Sequence, residues 1–277
     1  MSGHCPINNL EEVLLATDGS EYSEGAVKEA IDIAAKCTSH VVAIAVVEAN
    51  EEYASEAPHL VEKEEARASE NLKAVKAAAD TAGVDCVTEV HTGDSPYRII
   101  VDEARRNGAE LIIMGRRGRT GIKKVAMGSV TARVVGHAPC DVLVVPRDCP
   151  QDFKTILVAT DGSANGESAA ASAVKIAKKV GGTLIAFSSA SSADKAAKAT
   201  ENAQKVKEAA DAKGIACETA TATGKAYVQI VEAAIAKNAD LIVIGCHGGG
   251  GLGKLLMGST TERVIGHSKC AVLVSCS

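Results

Sequence analysis

Aromatic side chains are scarce: the 277 residues include four Tyr, two Phe and no Trp. Recognition of single-stranded nucleic acid by base stacking needs such platforms, and that function class is set aside. A surplus of positive charge is missing too. Thirty Lys and Arg stand against 35 Asp and Glu, a net of −5, which argues against a general binder of phosphate backbones. No apolar run approaches the roughly 20 residues that span a bilayer. The opening Met1-Ser2-Gly3-His4 lacks the basic and apolar regions of a secretory leader. Nine Cys occur without one Cys-x-x-Cys pair; an odd number in a chain rich in core formers points to reduced thiols rather than a disulfide framework. The expectation is a soluble cytoplasmic protein, with neither nucleic acid nor membrane as partner.

What is present is aliphatic. Apolar residues make up 46% and charged residues 23%, ample for packed cores and unlike a disordered composition. At roughly 100–200 residues per domain, the length suggests two domains. Charge divides unevenly between the halves. Residues 1–148 hold 16 basic and 24 acidic side chains, a net of −8; residues 149–277 hold 14 and 11, a net of +3. Within the acidic half, Arg116, Arg117, Arg119, Lys123 and Lys124 crowd into nine positions, a candidate anion site.

The chain repeats itself. Val13-Leu14-Leu15-Ala16-Thr17-Asp18-Gly19-Ser20 returns 143 positions later as Ile156-Leu157-Val158-Ala159-Thr160-Asp161-Gly162-Ser163. Residues 113–145 match 243–275 at an offset of 130, with 16 identities in 33 positions. The second copy loses most of the difference after its second strand, where the first has Glu48 to Pro58. Such a duplication predicts two domains of one fold, 1–148 and 149–277. Short aliphatic runs near 12–17, 40–47, 85–91, 110–115 and 141–146 read as strands, and helical patterns fill 20–37, 60–82, 94–107 and 127–137. The second copy repeats the strands near 154–160, 182–188, 215–222, 240–245 and 270–275. Strands that are apolar throughout, alternating with helices, predict an α/β, Rossmann-like parallel sheet covered on both faces. Ser20, Ser95 and Ser163 are candidate helix caps, Pro96 suits a first turn, and Gly83, Gly108 and Gly214 mark helix ends.

In such sheets ligands bind beyond the carboxyl ends of the strands. After the fourth strand each copy carries Gly, two residues, Gly, nine residues, then Gly-Ser: Gly115, Gly118, Gly128 and Ser129 first, then Gly245, Gly248, Gly258 and Ser259. Glycine lets backbone amides approach an anion, and the Gly-Ser step opens a helix whose amino end favours phosphate. The bland alternative is a tight strand-to-helix turn. Gly248 to Gly253 spells a dinucleotide fingerprint and Gly248 to Lys254 a P-loop, but the first opens the wrong βαβ unit and Leu255 stands where the second needs Ser or Thr. Asp18 and Asp161, at the end of the first strand, can accept from a ribose or amino group or cap the next helix.

The Ala-Thr-Asp-Gly-Ser opening, the glycine loop and the apolar last strand together resemble the universal stress protein family, in tandem over nearly the whole chain. The loop is similar to that of its ATP-binding branch. The resemblance implies two five-stranded sheets of order 3-2-1-4-5 that hold ATP or another adenine nucleotide, with magnesium. It places Thr17 and Asp18 at the base or ribose and Val46 against the adenine. Met114 and Gly115 then follow the nucleotide, and Gly118, Gly128, Ser129 and Val130 hold ribose and phosphates. Asp161, Gly245, Gly248, Gly258 and Ser259 are the second-copy counterparts, with Ser188 standing where Val46 would be. It also implies edge-to-edge pairing of the last strands, which a tandem chain can satisfy within itself; a homodimer of such chains is a separate expectation.

Because Arg119, Lys123 and Lys124 are matched by Gly249, Gly253 and Lys254, charge favours tighter binding by the first half. The leading function is a nucleotide-dependent stress-response or regulatory module. Alternatives are a slow ATPase or self-phosphorylating enzyme using the same loop, and a vestigial pocket. No catalytic residue is assigned, because hydrolysis needs a placed base and a held magnesium. His137 and His267 suit helix carboxyl ends, Cys140 and Cys270 suit the core, and Cys246-His247 does not match zinc spacing.

Overall fold

The aliphatic runs do form strands, in a computed structural model that describes residues 5–7, 10–119, 127–148, 152–248 and 257–276. The first half runs β1 (Glu12–Ala16), α1 (Glu24–Cys37), β2 (His40–Glu48), α2 (Glu51–Glu56), α3 (Pro58–Thr81), β3 (Cys86–Gly93), α4 (Pro96–Arg106), β4 (Leu111–Gly115), α5 (Ser129–His137) and β5 (Asp141–Val145). The second runs β6 (Thr155–Ala159), α6 (Ala164–Val180), β7 (Thr183–Ala190), a 3-10 turn (Ala193–Lys195), α7 (Ala196–Asp211), β8 (Cys217–Thr223), α8 (Ala226–Ala236), β9 (Leu241–Gly245), α9 (Ser259–His267) and β10 (Ala271–Ser275).

Within each half the strands lie in the order 3-2-1-4-5, all parallel, but the two sheets are not separate. They fuse into one sheet of ten strands, β3-β2-β1-β4-β5-β10-β9-β6-β7-β8. The seam is antiparallel: Val142 pairs with Val274, Leu143 with Leu273 and Val144 with Val272. Both last strands are apolar, and an apolar edge left open would invite foreign pairing. Each covers the other.

Alternation along the strands divides the core into two layers. Val13 and Leu15 join Ile33, Leu72 and Val75 on the face covered by α1, α3, α6 and α7. Leu14 and Ile44 join Ile100, Val134, Ile230 and Val264 on the face of α4, α5, α8 and α9. Helix ends follow local chemistry. Ser163 Oγ accepts from Gly166 N at 3.2 Å, and Gly83, Gly108 and Gly214 adopt φ of +70°, +65° and +71° just beyond α3, α4 and α7. Pro96 opens α4, although the Ser95 side chain makes no cap. Ser20 is not a cap either; Ser20 N and Oγ both donate to Asp18 Oδ1, at 3.0 and 2.7 Å, in a turn that delays α1 to Glu24. The segment peculiar to the first copy folds as α2 rather than a plain loop.

The expectation of reduced thiols is corrected at one place. Cys5 and Cys37 form a disulfide, with Cα atoms 4.5 Å apart. It ties the segment before β1 to the last residue of α1. The other described cysteines, Cys86, Cys140, Cys217, Cys246, Cys270 and Cys276, are free thiols; Cys149 lies outside the described residues.

Glu29 is a buried carboxyl, 1% exposed, on α1. Burial first, and Asp32 second, push its pKa up to about 8 from 4.5. Between those values the unfolded chain ionises while the folded chain must keep its proton. Stability is therefore undiminished below pH 4.5, falls as pH rises and levels off above 8. Glu29→Gln should melt like the parent near pH 4 and higher than it at pH 9, by about 2–4 °C for each kcal/mol recovered. Parallel melting curves for the two proteins across that range would contradict this.

Candidate functional site

The carboxyl ends of the strands beside α8 and α9 frame a cavity of about 440 Å³. Ala159 and Phe187 form its floor with Ile244; Ala226 and Ile230 of α8 form a wall. Asp161, Gly245, His247, Gly248, Gly258 and Ser259 close the polar side. Five of the second-copy site residues expected from sequence (Asp161, Gly245, Gly248, Gly258, Ser259) thus meet around one space. An apolar bed with a few polar groups is the usual make-up of a small-molecule site.

One assignment is corrected. Ala16 pairs with Ile44 and Ala159 with Phe187, so the counterpart of Val46 is Ser189, which lines the cavity. Ser188 faces the opposite layer, 1% exposed, with no hydrogen-bond partner for its hydroxyl among the described residues. A slip of one residue inverts the face of a strand. Phe187, Ala226 and Ile230 were missed because the glycine motif does not contain them; the alternation of β7 and the register of α8 carry that signal.

The glycine loops are stapled at their bases. Gly128 N donates to Arg116 O at 2.9 Å and Gly258 N to Cys246 O at 3.0 Å. Thr131 Oγ1 donates to Gly115 O at 3.0 Å and Thr261 Oγ1 to Gly245 O at 2.9 Å. The amides of Gly128 and Gly258 are consequently engaged within the protein, contrary to the expectation that they face an anion. The first helical bonds run from Ala132 N to Gly128 O and from Glu262 N to Gly258 O, each 3.0 Å. Ser129, Val130 and Ser259 stand before those bonds, so their amides belong to the open amino ends of α5 and α9. Glycine at 115 and 245 is steric: a Cβ would come within 2.7 Å of Tyr22 O or 2.8 Å of the Asn165 backbone.

Asp18 is a clamp more than a free acceptor. Oδ1 takes the Ser20 bonds and Oδ2 takes Arg119 N at 2.6 Å, so it caps the loop amides rather than α1. Asp161 Oδ1 likewise accepts from Ser163 N at 3.0 Å and Ser163 Oγ at 2.5 Å. A Cβ on Gly118 would fall 2.8 Å from Asp18 Oδ2, and one on Gly248 2.7 Å from Asp161 Oδ2. Thr17 Oγ1 donates to Ser23 Oγ at 2.9 Å and accepts from Gly19 N at 3.2 Å. Met114 is buried and Val46 packs on the same layer. A cavity of about 420 Å³ in the first half lies between α1 and α3, lined by Thr17, Ser20, Val27 and Asn71 among others.

Two members of the basic cluster of the first half, Arg116 and Arg119, have partners of their own. Arg116 Nη1 donates to Ser268 O at 2.9 Å across the seam, and burial lowers its pKa. Arg119 pairs with Glu64 at 2.8 Å. Lys123 and Lys124 lie outside the described residues. Of the three residues behind the expectation of tighter binding by the first half, Arg119 alone is described, and it is paired with Glu64.

His137 Nδ1 donates to Arg133 O and His267 Nδ1 to Arg263 O, both 2.7 Å. The rings rest on Tyr97 and Tyr227 at 5.2 and 5.5 Å, so both histidines finish helices, as their position suggested. Cys270 is buried and Cys140 half-buried; burial, with Asp141 adding to it, pushes the Cys140 thiol up to about 12. Glu89, His91 and Glu103 form a cluster of metal-binding types. Arg106 lies within it, 2.7 Å from Glu89 and 2.5 Å from Glu103, and supplies the opposite charge itself.

A doubly wound α/β protein, duplicated and joined edge to edge, with a cleft at its strand ends, is the class so defined. The universal stress protein family matches residues 9–146 and again 152–275, and the chain belongs to that family. A universal stress protein of Methanocaldococcus jannaschii is 38% identical over 146 residues, covering 50% of this chain and 84% of that protein. One from Staphylococcus epidermidis, described as putative, is 33% identical over 150 residues, 53% of this chain and 90% of its own. The crystal structure of a universal stress protein from Archaeoglobus fulgidus covers 96% of this chain and 98% of its own, at 26% identity and TM-score 0.78. No helix among the described residues is long and apolar enough to cross a membrane.

Proposed function

We propose that this is an adenine-nucleotide-binding universal stress protein, a regulatory module of two domains, 1–148 and 149–277, whose second-half cleft takes ATP with its magnesium. The single observation that carries the reading is the open cavity bounded by Phe187 and Ile230 below and by Gly248, Gly258 and Ser259 above. The planar base suits the apolar bed; Asp161, beside the Thr160 turn, is in place for a ribose hydroxyl. The phosphates then meet the amino end of α9, where the amides that precede the first helical bond, together with the helix dipole, favour anions. Magnesium would arrive on the phosphates, with Asp161 as the cavity's own carboxylate. The first-half residues Thr17, Asp18, Val46, Met114, Gly115, Gly118, Gly128, Ser129 and Val130 repeat the plan.

Binding rather than hydrolysis is favoured because Asp161 is the one carboxylate among the described residues lining the cavity, and its Oδ1 is engaged by Ser163. Purified chain, denatured and cleared of protein, should release intact adenine nucleotide detectable by chromatography. Release of ADP would favour the slow ATPase. An empty supernatant, with no heat on titration with magnesium ATP, would overturn the assignment.

A further inference from the structure

Cys246 and Cys276 end neighbouring parallel strands. Gly245 pairs with Ser275, and Cys246 N donates to Ser275 O at 3.0 Å. The two residues that follow therefore sit side by side, one strand spacing or roughly 5 Å apart, within the Cα separation of about 4.4–6.8 Å that a disulfide requires. Their side chains share a face: Cys246 is buried in the layer of α5 and α9, and Cys276 packs on the same layer. The sulfurs converge on a single acceptor, Val135 O, at 3.5 and 3.6 Å. The neighbouring Cys276 thiol lowers the Cys246 pKa. The Cys246 thiol, burial and Asp141 hold the Cys276 proton firmly. The corresponding first-half residues are Arg116 and Pro146, so this pair is peculiar to the second half.

We propose that Cys246 and Cys276 are a reversible dithiol–disulfide site that reacts with hydroperoxides. The Cys246 sulfur attacks the peroxide; an S–O bond forms as the O–O bond breaks. The product is a sulfenic acid, and the leaving oxygen departs as an alcohol, or as water from hydrogen peroxide, with the proton that Cys246 gave up. The Cys276 sulfur then attacks the Cys246 sulfur. An S–S bond forms, the S–O bond breaks, and the hydroxyl leaves as water with the Cys276 proton. Two thiols lose two electrons and the peroxide gains them. The new bond anchors the first residue of the second glycine loop to the end of β10. It also removes both S–H donors from Val135 O, in the last turn of α5 across the seam.

The test uses the full chain treated with hydrogen peroxide, trapped with a maleimide in denaturant and digested without reduction. Mass spectrometry should find a Cys246–Cys276 linked peptide beside Cys5–Cys37, absent before treatment and removed by dithiothreitol. Cys246→Ser and Cys276→Ser should each reduce it more than tenfold, while Cys140→Ser keeps it. The proposal is overturned if both cysteines are recovered as maleimide adducts, as separate sulfinic acids, or linked to other cysteines.

Discussion

Replacing Ser189 by Trp should lower the affinity of the chain for magnesium ATP at least tenfold, which is about 1.4 kcal/mol. Ser189, next to the last residue of β7, lines the cavity with Phe187 and with Ala226 and Ile230 of α8. An indole there occupies the bed proposed for the base, and it enters open space rather than the packed interior, so the fold should be spared. Ser188→Trp is the opposing control: its side chain enters the other layer, where interiors have no room for a ring, and the chain should lose stability. Val46→Trp places the same ring in the first half. Titration calorimetry of the three variants separates the possibilities. Undiminished binding by Ser189→Trp, with loss in Val46→Trp, would move the principal site to the first half.

The other large effect is expected at the seam. Leu143 and Leu273 face each other across the antiparallel pair, 2% and 3% exposed. Leu143→Ala should cost about 2–5 kcal/mol, since a leucine removed from a close-packed core loses its burial and leaves a cavity. Leu273→Ala should cost a similar amount. The double variant should fall short of the sum, because the two side chains adjoin the same space. Urea midpoints with unchanged slopes would report this directly. A cost below about 0.5 kcal/mol, as for ordinary surface positions, would mean that the seam carries little of the chain's stability.

The fold was legible because its signals are periodic and doubled. Val41 to Val47 and Leu111 to Met114 are apolar throughout because helices cover both faces, and glycine at 83, 108 and 214 marked helix ends that backbone geometry requires. The offset of 143 positions aligned β1 with β6. What periodicity does not encode was lost. Ser188 is one residue off: the offset of 143 carries Val46 to Ser189, and because a strand presents its neighbours to opposite faces, that single step changes the layer. The Cys5–Cys37 bridge joins residues 32 apart with no local pattern between them. It follows from where the chain enters β1. The engagement of Arg116 and Arg119 was invisible for a related reason: net charge says which ions are near, while Ser268 O and Glu64 are brought to them by tertiary structure. The glycine motif located the cleft, yet the bonds from Gly128 N and Gly258 N show these residues closing the loop rather than offering amides outward.

The antiparallel junction of β5 and β10 has an evolutionary corollary. In a symmetric pair of separate subunits, each substitution appears in both at once. Here the partners are encoded in one reading frame, so mutation can act on one lobe while the other stays as it was. Arg116 corresponds to Cys246 and Val46 to Ser189, differences of the kind that such freedom permits. Covalent continuity guarantees that each lobe always meets the other, at a fixed ratio, whatever the expression level.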